Sequence, residues 1–498
     1  MLLALTMASV LLAADAPASE SARPTVAVAP FTASQDVAWA SYLLADSLTG
    51  RLLVHSRFNP KNLQRFYPLN VFGWRQVAAA ARGDAIELAA LSVETTERLR
   101  KQLGADWMLV GNVSGKGNDL VIEWRLVGEK TTTGEKLTTT AGQLIGAAET
   151  VAAGVLRLLG QGTDVLSSHK QEAISDKSAR VYGAALQRLA AQSLDPRAGL
   201  VLKPAELEQI HTALGAVVNE APMLARAWVE RGLVSAMLGK HERAEGELAQ
   251  AMAGGLEPAT SLGLYYFYDR QAKTLEGAKA LEEATVQHLG FLQGLGYLGQ
   301  AYFRIGKYHD ALQVFSSYVQ RVPKSPWARV QRAAALARTG KLDLALSETQ
   351  AVLAEHPASV MVWAALAARQ IDAKKYDEAR ATLKRALDKY PDHAALLVRQ
   401  AYVALMQGKA DEALATSQKA VVAVGEGRGE TLAAYAYVNL GHAYLLLGDR
   451  SAAYQALAKA KTLGADTEDL RVLLRDERVH AALDDSKSPV KPAGPHAH

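Results

Sequence analysis

The chain has no cysteine in 498 residues. That excludes disulfides, thiolate metal centres, cysteine nucleophiles and a lipid-modified cysteine anchor. Aromatic residues are scarce, at 6%, and alanine and leucine are plentiful, a mix that favours helices over sheets. Neither sign of charge dominates. The 55 basic and 51 acidic side chains leave +4, too small an excess to point to nucleic acid. The uncharged run from Met1 to Ala14 is too short to span a bilayer. What remains is ordinary globular composition, 49% hydrophobic and 21% charged. The length calls for two or three folding units or a repeat array.

In the first residues, Leu2, Leu3, Leu5, Met7, Val10, Leu11 and Leu12 form an apolar core. Ala16-Pro17-Ala18 comes next as a small-x-small cleavage pattern before Ser19. This is the pattern of a secretory signal over residues 1–18, although no Lys or Arg precedes the run; the other reading is a terminal helix. A signal implies a periplasmic or otherwise exported protein, and its absence a cytoplasmic one.

Residues 24–162 read as a small mixed domain. Thr25 to Phe31 is a strand ending near Pro30, and Trp39 to Leu53 is helical, with Leu43, Leu44, Leu48 and Leu52 at helical spacing. Asn70 to Trp74 is a short strand. Val93 to Leu103 is a helix stopped by Gly104. Trp107 to Val113 and Leu120 to Val127 form a hairpin across the turn Gly115 to Asp119. Thr131 to Glu135 reads as a turn, Lys136 to Thr140 as a strand and Ala141 to Leu159 as a closing helix. The order predicts helices on one mixed sheet. Gln76 to Ala90 looks inserted and has no evident packing partner. The strand Val26-Ala27-Val28-Ala29-Pro30-Phe31, the helix segment Leu44-Ala45-Asp46-Ser47-Leu48 and Leu103 to Val113 together resemble the TolB amino-terminal domain, a module also similar to flagellar assembly proteins and parts of cyclase-associated proteins. The resemblance covers roughly 130 residues. It implies a non-catalytic domain of the bacterial envelope that precedes helical repeats.

A period of 34 residues runs through the rest of the chain. Pro323, Pro357 and Pro391 are one period apart, as are Gly306, Gly340, Lys374 and Gly408, and as are Ala311, Ala345, Ala379 and Ala413. The alanine lets paired helices approach closely, the glycine ends the first helix, and the proline stops the second. This pattern resembles the tetratricopeptide repeat. The clearest copy runs from Leu295 to Pro323. Earlier copies are marked by Trp228, Gly232, Gly239 and Ala244 and, more degenerately, by Leu262 to Ala284. A later one, displaced by six residues, is marked by Tyr437, Gly441, Gly448 and Ala453, with Gly425 to Gly429 absorbing the displacement. The expected fold class is therefore an α+β amino-terminal domain followed by an all-α superhelical solenoid of about seven repeats. The organisation is a divergent opening helical pair at 171–222, the array at 225–470, a capping helix at 466–485 and a disordered tail at 486–498.

No catalytic, cofactor or metal constellation stands out. The glycines from Gly111 to Gly117 lack the Lys-Ser or Lys-Thr ending of a phosphate loop and precede a strand. His241-Glu242 lacks the second histidine of a zinc protease. His496 and His498 read as a solvated tail. Glu282-Glu283, Asp377-Glu378 and Asp484-Asp485 read as exposed turns. Binding of a protein or peptide partner is the better-supported activity. In the repeat family the first helix of each pair lines a concave face. The resemblance places Gln293, Tyr297, Gln300, Arg304, Arg338, Arg399, Tyr402, Asn439 and His442 on that face, where tyrosine and arginine are frequent hot spots. It also argues against a clamp for a terminal carboxylate, because the matching positions hold Gly296, Val330, Ala364, Val398 and Val438. The expected function is a non-catalytic scaffold in bacterial envelope assembly; the alternative is a cytoplasmic regulatory module. An enzyme is not expected.

Overall fold

The computed structural model describes residues 23–55, 69–83, 88, 91–129, 132–161, 174–190, 201–253, 256–425 and 430–463. The expected signal (1–18), capping helix (466–485) and tail (486–498) lie outside the described residues. By contacts the chain divides into two compact units, the first extending to Ala335 and the second from Leu336.

The first unit opens on a sheet. Its strands are β1 (Thr25–Val28), β2 (Thr32–Ala33), β3 (Asn70–Phe72), β4 (Trp107–Lys116), β5 (Asp119–Val127) and β6 (Thr132–Thr140). The strand order is β3-β1-β4-β5-β6, and β2 also pairs with β4. β1 runs parallel to both β3 and β4, whereas β4, β5 and β6 form an antiparallel meander. The sheet is thus mixed, as the order of elements predicts. Alternate residues of β5, namely Leu120, Ile122, Trp124 and Leu126, are buried, as the period of two requires. β6 begins at Thr132 rather than Lys136. A run of threonines carries the strand through the expected turn, and Lys136 meets Glu123 at 2.8 Å across the ladder.

Four helices cover this sheet: α1 (Ala38–His55), α2 (Trp74–Gly83), α3 (Val93–Leu103) and α4 (Leu144–Leu158). In α3 the Ser92 hydroxyl caps the first turn by accepting the Thr95 N–H at 3.1 Å. Gly104 closes it at φ +75°. The helical part of this unit continues with α5 (Asp176–Leu189), α6 (Pro204–Glu220), α7 (Ala225–Met237), α8 (His241–Met252), α9 (Pro258–Arg270), α10 (Thr274–Gln287), α11 (Leu292–Arg304) and α12 (Tyr308–Arg321). α5 crosses α1 closely: a side chain at Gly183 would collide with the Trp39 carbonyl.

α13 (Pro326–Arg338) straddles the division. The second unit then contains α14 (Leu342–Glu355), α15 (Val360–Asp372), α16 (Tyr376–Lys389), α17 (Ala394–Met406), α18 (Ala410–Val424), α19 (Glu430–Leu446) and α20 (Arg450–Thr462). In both units the helices pair as hairpins: α7–α8, α9–α10 and α11–α12 in the first, and α15–α16, α17–α18 and α19–α20 in the second. This is the fold class that the sequence predicts, a small α+β region followed by tetratricopeptide-type hairpins.

The repeated residues act as their chemistry predicts. Ala311, Ala345, Ala379 and Ala413 are completely buried. α12, α14 and α16 each end two residues before the prolines at 323, 357 and 391. Every hairpin turn holds one residue in the left-handed region. Glycine takes it at 239, 306, 340, 408 and 448, but Ala272 (φ +59°) and Lys374 (φ +57°) take it too. A side chain in that conformation costs about 1–2 kcal/mol. The hairpin packing therefore imposes the turn even where the sequence opposes it. Ala272 also marks the turn of the degenerate copy that begins near Leu262.

Candidate partner-binding surfaces

In the first unit the sheet domain is joined to the repeats by side chains far apart in sequence. The edge strand β3 meets the loop before α11. The Val71 N–H donates to the Gly290 carbonyl at 3.1 Å, and Val71 forms a parallel bridge with Phe291. Asn70 Nδ2 donates to the Arg321 carbonyl at 3.2 Å. At the start of α2, Arg75 pairs with Glu230 of α7 at 2.6 Å. Arg226 of α7 pairs with Asp46 of α1 at 2.8 Å, and Asp46 also accepts Trp74 Nε1 at 3.1 Å. These contacts surround a cavity of about 60 Å³ between α1, α2, α7, α9 and α11. Burial pulls the Arg75 guanidinium down, yet the Glu230 carboxylate more than offsets this and holds it above its usual range. Burial pushes the neighbouring Tyr266 hydroxyl well up.

Four of the expected face residues lie on α11 in this unit. Gln293 lines the cavity. The Tyr297 ring packs 5.4 Å from Tyr265 and 5.2 Å from Tyr266. Gln300 is half-buried. Arg304 grips Asp269 with two hydrogen bonds, at 2.9 and 2.5 Å, and donates to the Tyr265 hydroxyl at 2.7 Å. The first helices of three successive hairpins, α7, α9 and α11, thus form an aromatic and ion-paired surface, and part of it closes on the protein's own sheet domain. The stretch from Gln76 with no evident sequence partner continues α2, whose first residues, Trp74 and Arg75, take part in that closure.

A second polar network lies among α6, α7 and α8. His211 meets Glu247 at 2.7 Å, and Ser235 donates to the other oxygen of that carboxylate at 2.6 Å. Arg231 stands 3.2 Å from Glu247. Arg243 contacts His211 Nδ1 at 2.8 Å. Because a guanidinium only donates, Nδ1 accepts and the ring proton sits on Nε2, directed at Glu247. Burial raises the Glu247 pKa, but the His211 and Ser235 hydrogen bonds prevail and hold it below the usual carboxylate range. With both oxygens of Glu247 and both ring nitrogens of His211 engaged, the network locks three helices together.

The other five expected residues lie in the second unit. Arg338 is exposed at the end of α13. Arg399 and Tyr402 are half-buried on α17. Asn439 and His442 of α19 are buried, and Asn439 Nδ2 donates to the Val398 carbonyl at 2.9 Å. That bond joins α19 to α17 and so brings Arg399, Tyr402, Asn439 and His442 onto adjacent helices. Arg399 NH1 donates to the Ala395 carbonyl at 2.8 Å. Burial, and then the charge of Arg369, pull the Arg399 guanidinium below its usual value. Ala364, Val398 and Val438, where a terminal-carboxylate clamp needs polar groups, are buried and apolar.

Among the described residues no group of three or more His, Asp or Glu side chains could hold a metal. No helix among them is long and apolar enough to cross a membrane.

Two family models, both described as tetratricopeptide repeat, match this chain, one over residues 303–369 and 370–422 and the other over 268–326. The chain therefore carries tetratricopeptide repeats over this stretch. Proteins built from these repeats are in general non-catalytic scaffolds that bind protein partners. Among solved structures the chain is similar to a tetratricopeptide repeat protein from Parabacteroides merdae, at 22% identity and a TM-score of 0.43 over 51% of this chain and 98% of that one. It is also similar to a thermophilic protein of this type from Thermus thermophilus, at 23% identity and 0.33 over 39% and 98%, and to yeast Tom70, at 15% identity and 0.46 over 64% and 67%. No curated protein matches the chain.

Proposed function

We propose that the protein is a scaffold of the bacterial envelope whose second-unit repeats hold an extended segment of a protein partner. The observation that carries this reading is that Arg399 and Tyr402 stay half-exposed on α17, which the buried Asn439 ties to the neighbouring α19 through its bond to Val398. Tyrosine and arginine at such a face are typical binding anchors, and stacked repeat hairpins suit an extended ligand. The resemblance of residues 24–162 to the TolB amino-terminal domain and the signal-like residues 1–18 support the envelope setting.

The test is crosslinking capture from the native host with the full chain and with the double substitution Arg338→Ala/Tyr402→Ala. Capture of a specific partner should fall about tenfold or more while the helical circular dichroism stays unchanged. Equal capture would refute this placement of the face. Sequencing the first residues of the native protein tests the setting: a start at Ser19 supports export, and an intact Met1 supports a cytoplasmic regulatory role instead.

A further inference from the structure

We infer that Arg399 anchors a subsite for an aspartate or glutamate side chain of the partner segment. The inference rests on the reading of the second-unit face as the binding surface and adds the chemistry of its occupant.

The local charge is unbalanced. Two guanidiniums, Arg369 and Arg399, stand near one carboxylate, Asp372, whose influence reaches both. Arg369 takes that carboxylate, with Nε to Oδ2 at 2.8 Å on the same helix. Arg399 is left with one hydrogen bond, to the carbonyl one turn behind it in α17. Among the described residues it has no ion-pair partner. A guanidinium carries five donors in a rigid fork that matches a carboxylate. Holding one half-buried without a counter-charge is costly unless another group supplies it. His393, at the start of α17, adds a second signal. Its Nδ1 is buried without a hydrogen-bond partner, and burial followed by the Arg399 charge holds the ring below its ordinary pKa. A ligand carboxylate placed here would relieve the charge that both side chains feel.

The surroundings select an internal acidic side chain rather than a chain terminus. Ala365 and Ala368 of α15 are small, half-buried and lie on the same helix stripe as Asp372. The clamp positions Ala364, Val398 and Val438 are buried and apolar, so they offer no polar groups to a chain terminus. The preferred occupant is therefore an extended segment that carries an internal acidic side chain.

The test uses the full chain and fluorescence anisotropy with two labelled decapeptides, one of alternating Leu and Glu and one of alternating Leu and Gln, both amidated at the carboxyl end. The acidic peptide should bind about tenfold more tightly or better at low salt. Raising the salt to about 0.5 M should shrink that gap several-fold. Arg399→Gln should close the gap without changing the affinity of the Gln peptide, and Arg399→Lys should keep part of it. If Arg399→Gln loses helical signal, the salt series on the unaltered chain decides instead. Equal affinities, or a gap that survives Arg399→Gln in a folded chain, overturn the subsite and leave the binding face standing. Binding of neither peptide overturns both.

Discussion

Equivalent repeat positions are used in opposite ways in the two units. Arg304 and Arg338 stand one period apart. Arg304 is fixed by two hydrogen bonds to Asp269 and one to Tyr265, whereas Arg338 is exposed. Tyr297 and Arg399 stand three periods apart. Tyr297 is packed into a cluster of three tyrosines, whereas Arg399 holds a single bond to its own helix. In the first unit the array's surface side chains serve internal cohesion, binding the sheet domain through Glu230, Arg226 and Phe291. In the second, Arg399 keeps donor capacity in reserve. A repeat register thus says which residues share a face, but what fills that face is set by the rest of the chain.

The comparison can be broken hardest at Phe291, which is completely buried against β3 and α11. A side chain at Gly294 would collide with its ring, which shows how closely the ring lies on the helix. Phe291→Ala should destabilise the first unit by about 3–5 kcal/mol. Hydrogen exchange should show β3 and α11 losing protection while α15 to α20 keep theirs; equal loss everywhere would mean the two units are not distinct. Arg75→Met should cost about 3 kcal/mol by leaving Glu230 inside without a partner. Adding Glu230→Leu should restore much of that loss in urea unfolding, and a double variant as weak as the sum of both would show that the pair carries no coupling.

A smaller and opposite effect is expected at a turn in the second unit. Lys374→Gly should stabilise that unit by about 0.5–1 kcal/mol by removing left-handed strain. A lower urea midpoint would show that the lysine side chain contributes more than its backbone costs. The smallest effect is pH-dependent. Burial and Arg399 hold the His393 pKa below its ordinary value, so the fold favours the neutral ring. Its contribution is complete above about pH 6.5 and is lost as the pH falls toward and through the lowered folded value. Unfolding midpoints at pH 7.5 and 5.5 should differ more for the unaltered chain than for His393→Gln.

What the sequence reveals depends on how local its cause is. The helix from Val93 to Leu103 is legible because its cap at Ser92 and its stop at Gly104 adjoin it. The hairpins are legible because Ala311 and its equivalents recur with a fixed period. The start of β6 is not, because Thr132 to Glu135 lacks an apolar alternation and pairs only through β5. The closure of the sheet domain on the repeats is invisible in sequence. Arg75 and Glu230 are 155 positions apart, and nothing in either neighbourhood announces the other. The face residues are assignable by register alone. Their unequal roles depend on Asp269, Tyr265 and Asp372, which only the folded chain brings near them.

β3 lies at the end of the strand order, and its outer edge is met by Gly290 and Phe291. During synthesis that edge is made about 220 residues before its cover. At about 5–20 residues per second the interval is on the order of 10–40 s. An uncovered strand edge is a template for adventitious pairing with other chains. The nascent protein therefore has a window of vulnerability that closes only when α11 leaves the ribosome, and shortened forms that stop before residue 290 should remain in that window permanently.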